Sequence, residues 1–234
     1  MNEELRITKL WVIIVAGGSG SRMQTGEPKQ FLELCGKPVL MHSINAFADA
    51  CEGIRTIVVL PALQIEYWKE LCSRYNFMVP HEIIEGGTTR FQSVKNGLSL
   101  LSGKGLVAIH DGVRPLVSRK TITGCFCEAA KYGCAVPVLP VSDSVREVSG
   151  TSSRMLDRTT LRLIQTPQVF DIALLKKAYE CPYLPEFTDD ASVFEKAGHI
   201  IFLTEGNLEN IKITTQNDLL MVEALKYQES IPTK

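Results

Sequence analysis

The stretch LWVIIVAGGSGSR, residues 10–22, decides the fold. It begins with a continuous apolar run rich in β-branched side chains, which is typical of a strand buried on both faces. Three glycines, two serines and an arginine follow this run directly. In open parallel sheets, ligands bind beyond the carboxyl ends of the strands. We therefore expect the loop that follows, residues 17–30, to face a ligand.

Short apolar runs alternate with helical segments along the rest of the chain. Strand-like runs lie at residues 10–16, 56–60, 82–85, 106–110, 135–141 and 200–205. Segments with apolar residues at helical spacing lie at residues 38–50, 65–75, 90–101 and 120–132. This alternation predicts a largely parallel sheet covered by helices on both faces. There is no internal repeat or low-complexity linker, so we expect one doubly wound α/β domain over residues 1–234.

The composition disfavours several classes of protein. The 25 lysines and arginines nearly balance the 26 aspartates and glutamates, so no overall basic field would draw in nucleic acid. The charged N-terminus lacks the apolar core of a signal peptide, and no apolar run is long enough to span a membrane. The seven cysteines are scattered, which favours free thiols in a reducing cytoplasm over a zinc site.

The glycine loop has the composition of a phosphate-binding turn, although a plain tight turn is the alternative. Glycines let backbone N–H groups approach a ligand closely, and successive N–H groups in a turn bind anions. The P-loop spacing is absent, and Met23 stands where a dinucleotide fingerprint needs its third glycine. Arg22 and Lys29 remain as two nearby cations. They suit attack on the α-phosphorus of a nucleotide, unless both are solvated surface cations.

Asp111 follows the strand at residues 106–110 directly. This position suits a magnesium ion, because Mg²⁺ prefers one or two carboxylates plus phosphate oxygens; a turn cap is the alternative. His110 could act as a base, but a histidine that ends a buried strand more often makes a structural hydrogen bond. The second glycine turn, GGTTRFQSV at residues 86–94, leads into a helix, where Ser93 and backbone amides are suited to hold a base or ribose.

Two further segments stand apart from this pattern. NIKIT, residues 210–214, predicts a short strand in which Lys212 lines a cleft or the solvated side of an edge. Residues 142–165 are polar around an SGTSS turn and predict an extended hairpin or arm. The arm has too few apolar residues to cover itself, so it lies on its own sheet or packs on a partner subunit. We favour the second arrangement, which predicts a homodimer.

Six motifs occur in a fixed order: AGGSGSRM…PKQF, GG…R…SV, HDGVRP, DR…L…QTPQVF, TDDAS and NIKIT. Together they resemble the 2-C-methyl-D-erythritol 4-phosphate cytidylyltransferase family of the non-mevalonate isoprenoid pathway, over nearly the whole chain. The resemblance implies a doubly wound nucleotidyltransferase domain with a projecting β-arm, at about residues 142–165, that interlocks two subunits. It also implies transfer of CMP from CTP to 2-C-methyl-D-erythritol 4-phosphate, with Mg²⁺ and release of pyrophosphate.

The resemblance also implies a role for each matching residue. Arg22 and Lys29 match the pair that stabilises the pentacoordinate phosphorus. Arg158 and Lys212 match the pair that positions the substrate phosphate, with the arginine supplied across the dimer interface. The matching CTP-binding positions are Ala16, Gly17, Gly18, Gly87, Ser93 and Asp111, the last of which also lies near the metal. The matching substrate-binding positions are Arg114, Ser144, Thr166 and Thr188.

The chain departs from the family pattern at a few positions. Ser144 replaces a common threonine and retains the hydroxyl. The turn after Gly87 lacks the acidic residue that relatives often carry, and Gly112 replaces a common alanine, a change that we expect to matter little.

Three other functions compete with this reading. A ribitol 5-phosphate cytidylyltransferase shares most of the motifs, but TDDAS and LDRTTL favour the methyl-erythritol enzymes. A regulatory nucleotide-binding module is disfavoured by the four catalytic-type cations, and an NAD-dependent dehydrogenase by the missing third glycine. In the cytidylyltransferase reading, the nucleophile is an already anionic phosphate oxygen. The site therefore needs cations that bring two polyanions together rather than a strong base.

Overall fold

The computed structural model describes residues 9–17 and 27–229. Within these ranges the strands are β1 (Leu10–Val15), β2 (Glu33–Leu34), β3 (Lys37–Pro38), β4 (Arg55–Leu60), β5 (Glu82–Glu85), β6 (Leu106–Asp111), β7 (Cys134–Pro140), β8 (Val145–Ser149), β9 (Ser152–Leu156), β10 (Arg162–Ile164), β11 (Gln168–Asp171) and β12 (Leu203–Glu205). The α-helices are α1 (Val39–Ala50), α2 (Ile65–Arg74), α3 (Arg90–Ser99), α4 (Arg119–Tyr132), α5 (Ile172–Ala178), α6 (Asp190–Lys196) and α7 (Gln216–Glu229).

The central sheet is parallel where it carries the first glycine loop. Strands β5, β4, β1 and β6 are neighbours in that order, and each pairs in parallel with the next. Beyond β6, strand β11 pairs antiparallel with both β6 and β7. Strand β7 also pairs antiparallel with β10 and parallel with β12. The predicted α/β fold with a mostly parallel sheet is confirmed, and an antiparallel strand interrupts it.

Alternate side chains of β1 enter two separate cores. Val12 and Ile14 pack on the face that α1, α2 and α4 cover. Trp11 and Ile13 pack on the opposite face, which α3, α5 and α6 cover. A continuous apolar strand is required for this arrangement because neither face meets water. No helix within the described ranges is long and apolar enough to cross a membrane.

The hairpin expected within residues 142–165 is formed by β8 and β9, which make a two-stranded sheet of their own. Val148 and Met155 on this hairpin are 71% and 74% exposed. After the hairpin, β10 rejoins the main sheet along β7. The hairpin therefore leaves apolar side chains in solvent, while packing on a partner subunit stays a prediction.

The short strand predicted at residues 210–214 is wrong. The backbone N–H of Ile213 donates to the carbonyl of Val113 at 2.9 Å, and that of Ile211 donates to Glu209 at 2.7 Å. These partners lie in loops rather than on a neighbouring strand, so no ladder forms. The Ile213 side chain is buried in a third core beneath α7, which explains the apolar alternation that suggested a strand.

Candidate active site

Two adjoining cavities lie at the carboxyl end of the parallel strands. The first, which we call the loop cavity, has a volume of about 330 Å³. It is lined by Val15, Ala16, Gly17, Lys29, Gln30, Gly87, Thr88, Thr89, Arg90, Ser93, Asp111, Val113, Lys212 and Thr214. The second, the outer cavity, has a volume of about 260 Å³. It is lined by Arg90, Asp111, Arg114, Ile164, Gln165, Thr166, Gln168, Thr188, Asp189 and Lys212.

Three side chains, Arg90, Asp111 and Lys212, line both cavities and form a shared wall. The Asp111 carboxylate, at the end of β6, is the centre of this wall. It lies 3.0 Å from Lys212 Nζ, 3.2 Å from Arg114 Nε and 3.8 Å from Arg90 Nε. Three cations therefore surround one buried carboxylate: Arg90 and Lys212 from the wall itself, and Arg114 from the outer cavity.

The surroundings of Asp111 favour its ionised form. Burial alone would raise the pKa of this carboxyl, but the charges of Arg90, Lys212 and Arg114 outweigh burial and hold the pKa well below its usual range. Asp111 is therefore an anion throughout the neutral range and keeps the cations in place.

Arg90 is also held from behind by a buried acid. Its guanidinium lies 2.6 Å from the Asp190 carboxylate, which is fully buried at the start of α6. The Tyr179 hydroxyl donates to the other oxygen of Asp190 at 2.6 Å. Burial and the carboxylate of Asp190 together raise the pKa of Tyr179 well above its usual value, so this phenol stays protonated and donates. The Arg90 side chain is consequently fixed while part of it faces both cavities.

His110 makes a structural hydrogen-bonded chain rather than acting as a base. Its Nε2 lies 3.1 Å from the carbonyl oxygen of Arg114. A carbonyl only accepts, so Nε2 carries the proton and Nδ1 accepts from the Thr166 hydroxyl at 2.9 Å. The same Thr166 oxygen accepts from the backbone N–H of Asp111 at 3.1 Å. Burial lowers the pKa of His110 to about 4, so the ring is neutral and orients Thr166 at the outer cavity.

The second glycine turn is built around Ser93. Its hydroxyl donates to the carbonyl of Thr89 at 2.9 Å and accepts from the N–H of Gly87 at 3.1 Å. A Cβ atom at Gly87 would come within 2.1 Å of the Gln92 side chain, so only glycine fits without a shift of the turn. Thr89 then caps α3 by accepting from the N–H of Gln92 at 3.1 Å.

Gly112 stands where an exchange with alanine was expected to matter little, but the space around it is too small for an added methyl group. A Cβ atom at this position would lie 2.9 Å from Ala16 Cβ and 3.0 Å from a methyl group of Leu40. Alanine would therefore move the end of β1, at the base of the glycine loop. The sequence could not show this contact because Ala16 is distant along the chain.

The structure brings most of the predicted site residues together. Ala16, Gly17, Lys29, Gly87, Ser93, Asp111 and Lys212 line the loop cavity, and Arg114, Thr166 and Thr188 line the outer cavity. Gly18 and Arg22 lie outside the described residues.

Ser144 and Arg158 are the predicted substrate-binding and catalytic residues that line neither cavity of their own chain. Both are exposed, because they flank the β8–β9 hairpin, which forms a sheet separate from the main one. The Arg158 guanidinium donates to the backbone carbonyl of Ser142. Their roles stay predictions that depend on a second subunit.

Sequence reasoning missed Arg90, Asp190 and Tyr179. Arg90 and Asp190 each occur within a motif quoted for the family resemblance, but neither was given a role. The available signal was a charged residue directly beside apolar ones, as in TRFQSV and DDASVF. This signal does not show that two such residues, 100 positions apart, form an ion pair.

The donor set of the site fits a magnesium ion that arrives with phosphate groups. Asp111 is the carboxylate among the described residues that line the loop cavity, and one carboxylate plus phosphate oxygens is a common Mg²⁺ environment. No cluster of three or more His, Cys, Asp or Glu side chains that could hold a metal occurs within residues 9–17 and 27–229. An all-protein metal cage is therefore not part of this portion of the chain.

The chain is similar to proteins of one known family over most of its length. The family model for IspD, 2-C-methyl-D-erythritol 4-phosphate cytidylyltransferase, matches residues 10–228. A 2-C-methyl-D-erythritol 4-phosphate cytidylyltransferase of Bacteroides fragilis is 51% identical over 213 residues, which cover 91% of this chain and 97% of the relative.

Two solved structures have the same fold. A 2-C-methyl-D-erythritol 4-phosphate cytidylyltransferase from Thermus thermophilus has a TM-score of 0.74 at 32% identity, covering 94% of this chain and 99% of the other. A 4-diphosphocytidyl-2C-methyl-D-erythritol synthase from Anaerococcus prevotii has a TM-score of 0.82 at 26% identity, covering 97% and 100%.

Proposed function

The chain belongs to the 2-C-methyl-D-erythritol 4-phosphate cytidylyltransferase family, and from that premise we propose how its two cavities divide the reaction. The loop cavity binds CTP, and the outer cavity binds 2-C-methyl-D-erythritol 4-phosphate. The enzyme transfers CMP to the phosphate of the polyol, giving 4-diphosphocytidyl-2-C-methyl-D-erythritol and pyrophosphate. This reaction belongs to isoprenoid precursor biosynthesis.

The observation that carries the proposal is the wall of Arg90, Asp111 and Lys212 that both cavities share. A transfer between two polyanions requires the attacking oxygen and the phosphorus to be neighbours, with cations between them to offset repulsion. The shared wall supplies such a meeting point. A cleft for a single ligand would not need two cavities that share cationic side chains.

The bond changes follow from the placement of the two substrates. A phosphate oxygen of the polyol attacks the α-phosphorus of CTP and forms a new P–O bond. The bond from the α-phosphorus to the bridging oxygen breaks, and its electron pair leaves with pyrophosphate. Lys29, at the loop cavity, stabilises the charge that develops on the phosphorus oxygens, and Lys212 and Arg114 hold the phosphate of the polyol.

The remaining side chains bind and orient the nucleotide. The turn of Gly87 and Ser93 borders the space for the base and ribose, and Asp111 accepts from ribose hydroxyls or contacts the metal. Mg²⁺, when bound with the triphosphate at Asp111, would supply further neutralisation of the departing pyrophosphate. No side chain has to remove a proton, because the attacking oxygen is already anionic near neutral pH.

The exposed hairpin supports a homodimer as part of the same proposal. Val148 and Met155 would be buried if the hairpin packed on a second copy of the chain, and Ser144 and Arg158 at its base would reach the outer cavity of the partner. Such a contact is self-complementary in a twofold dimer. The seven cysteines form no disulfide, which supports a cytoplasmic location.

The activity is tested by incubating the purified chain with CTP, Mg²⁺ and one polyol phosphate at a time, while pyrophosphate is measured. We expect release with 2-C-methyl-D-erythritol 4-phosphate and only background without an acceptor. Faster release with ribitol 5-phosphate would assign the protein to the alternative cytidylyltransferase. No release with either acceptor would refute the proposed transfer.

The dimer is tested by mixing two inactive variants, Lys29→Ala and Arg158→Ala, after joint unfolding and refolding. Half of the randomly formed dimers would be mixed, and each would contain one site with both native residues. Activity should return to about a quarter of the wild-type value. If the mixture stays as inactive as its components, Arg158 does not act across an interface.

A further inference from the structure

One buried amide, that of Gln30, joins the two ends of the glycine loop at its base. Gln30 is 1% exposed, although it is polar and lies beside the charged Lys29. Its Nε2 donates to the carbonyl oxygen of Ala16 at 2.7 Å and to Gln64 Oε1 at 2.6 Å. Both N–H groups of the amide are thereby satisfied, which is required of a polar group at this depth.

These two bonds join positions that are adjacent in space but 14 residues apart in sequence. Ala16 is the residue at which the chain leaves the sheet, and its own N–H still donates to Val59 on β4 at 3.0 Å. Gln30 is the residue at which the chain returns to the core. The bond between them therefore fixes the distance between the point where the chain leaves β1 and the point where it returns to the core.

The returning segment is anchored on α2 from its other side. The Phe31 ring contacts Tyr67 with centroids 5.3 Å apart and stacks on Trp68 at 6.0 Å. The Tyr67 hydroxyl donates to the Glu27 carboxylate at 2.7 Å. These contacts hold residues 27–31 on the helix, whereas the Gln30 side chain links that segment to the end of β1.

We propose that Gln30 is a positioning residue for CTP. By fixing the spacing between Ala16 and Lys29, which both line the loop cavity, it places the Lys29 ammonium group against the triphosphate. The inference rests on the proposed function, since it assigns CTP to the loop cavity. An apolar side chain of the same size would fill the core at this position but would leave the Ala16 carbonyl without its donor.

The test compares CTP binding and steady-state kinetics of Gln30→Glu with those of the wild type. Glutamate keeps the shape of glutamine but loses the N–H groups and places an oxygen against the Ala16 carbonyl. Loss of a hydrogen bond of this kind corresponds to about a tenfold change in affinity. We expect the Kd for CTP, measured by isothermal titration calorimetry, to rise about tenfold or more. The KM for the polyol phosphate at saturating CTP should stay within about twofold.

Three comparisons separate positioning from a purely structural effect. Gln228→Glu adds the same charge at an exposed position on α7 and should bind CTP as the wild type does. Gln30→Met removes the donors without adding charge and should weaken CTP binding even if Gln30→Glu fails to fold. Tyr67→Phe removes the hydrogen bond to Glu27, one of the contacts that hold the segment on α2. It does not touch Ala16 and should have a smaller effect on the Kd.

The outcomes also separate this inference from the proposed function. Unchanged CTP affinity in both Gln30 variants, or equal losses of affinity for both substrates, would overturn the positioning role while the wild-type activity stood. If the wild type bound CTP but transferred nothing to the polyol phosphate, the function would fail and the Gln30 comparison would still apply. Absence of CTP binding by the wild type would overturn both.

Discussion

Acid should destabilise this protein through His110 well before its carboxylates are protonated. The ring is fully buried, and both of its nitrogens are engaged by Arg114 and Thr166. A second proton on Nδ1 would place two hydrogens between the ring and the Thr166 hydroxyl and would bury a charge. The neutral ring is therefore a requirement of the fold.

The magnitude follows from the displaced pKa. Burial lowers the pKa of His110 from 6.5 to about 4, so the unfolded chain binds a proton more readily than the folded one between these values. Each tenfold change in proton affinity corresponds to about 1.4 kcal/mol. Stability contributed by His110 is thus complete above pH 6.5 and falls as the pH drops toward 4, by about 2–3 kcal/mol between pH 7 and pH 4.5.

Asp111 does not contribute to the change of stability in this pH range. The pKa of its carboxyl is lowered from an ordinary value of 3.8, so Asp111 is ionised in both states above about pH 4.5. The stability that it contributes is lost only at lower pH.

The measurement is urea unfolding at several pH values for the wild type and for His110→Asn. Asparagine keeps an acceptor near the Nδ1 position but cannot take up a proton. The variant should be less stable at pH 7, because the Arg114 carbonyl loses its donor, and its stability should depend less on pH. The difference between the two curves should shrink by about 2–3 kcal/mol between pH 7 and pH 4.5. Parallel curves would show that His110 is not held neutral and would refute this reasoning.

Three further predictions concern the cavities. Lys29→Ala should lower turnover by about 10²–10³-fold, the scale for losing one preorganised charge; pyrophosphate release measures this, and near-normal turnover would remove Lys29 from the mechanism. Asp190→Asn should destabilise the protein by about 3 kcal/mol in urea unfolding at pH 7, because a guanidinium loses its buried partner; a change below about 1 kcal/mol would contradict that. Gly87→Ala should raise the KM for CTP about tenfold, since the new methyl group meets the Gln92 side chain. Gly124→Ala, where an added Cβ meets nothing within 4 Å, should leave that KM unchanged.

The parts of the fold that follow from local pattern were predictable from the sequence. The apolar run of β1 and the glycines after it placed a ligand loop at the carboxyl end of a buried parallel strand. Asp111 was expected at the end of the next parallel strand for the same reason. Parallel strands of one sheet bring their carboxyl ends to one edge, so residues distant in sequence meet there without any pairwise signal.

The antiparallel strand β11 was not predicted because it is only four residues long and begins with a buried polar residue. Gln168 is fully buried, which a strand pattern does not anticipate. Its amide donates to Asp189 at 2.8 Å and accepts from the N–H of Ala191 at 2.8 Å. These partners, at the start of α6, complete the hydrogen bonds of the Gln168 amide. Only the folded chain brings them together.

The site could be predicted as a set of residues but not as a network. Lys29, Lys212 and Asp111 were identified by type and position, whereas Arg90 was not. The ion pair between Arg90 and Asp190 joins a helix start to another helix start, and the chain between them spans nearly half the protein. Contacts of this kind depend on tertiary packing, so a single sequence does not contain them.

The wall of Arg90, Asp111 and Lys212 has a consequence for changing the acceptor that this enzyme uses. Under the proposed division of the two cavities, any substitution in that wall alters the binding of both reactants. Acceptor selectivity then cannot be changed there without weakening nucleotide binding. Thr188 and Ile164 line the outer cavity and not the loop cavity. A library of variants intended to use a different polyol should therefore vary these two positions and keep the wall of Arg90, Asp111 and Lys212 unchanged.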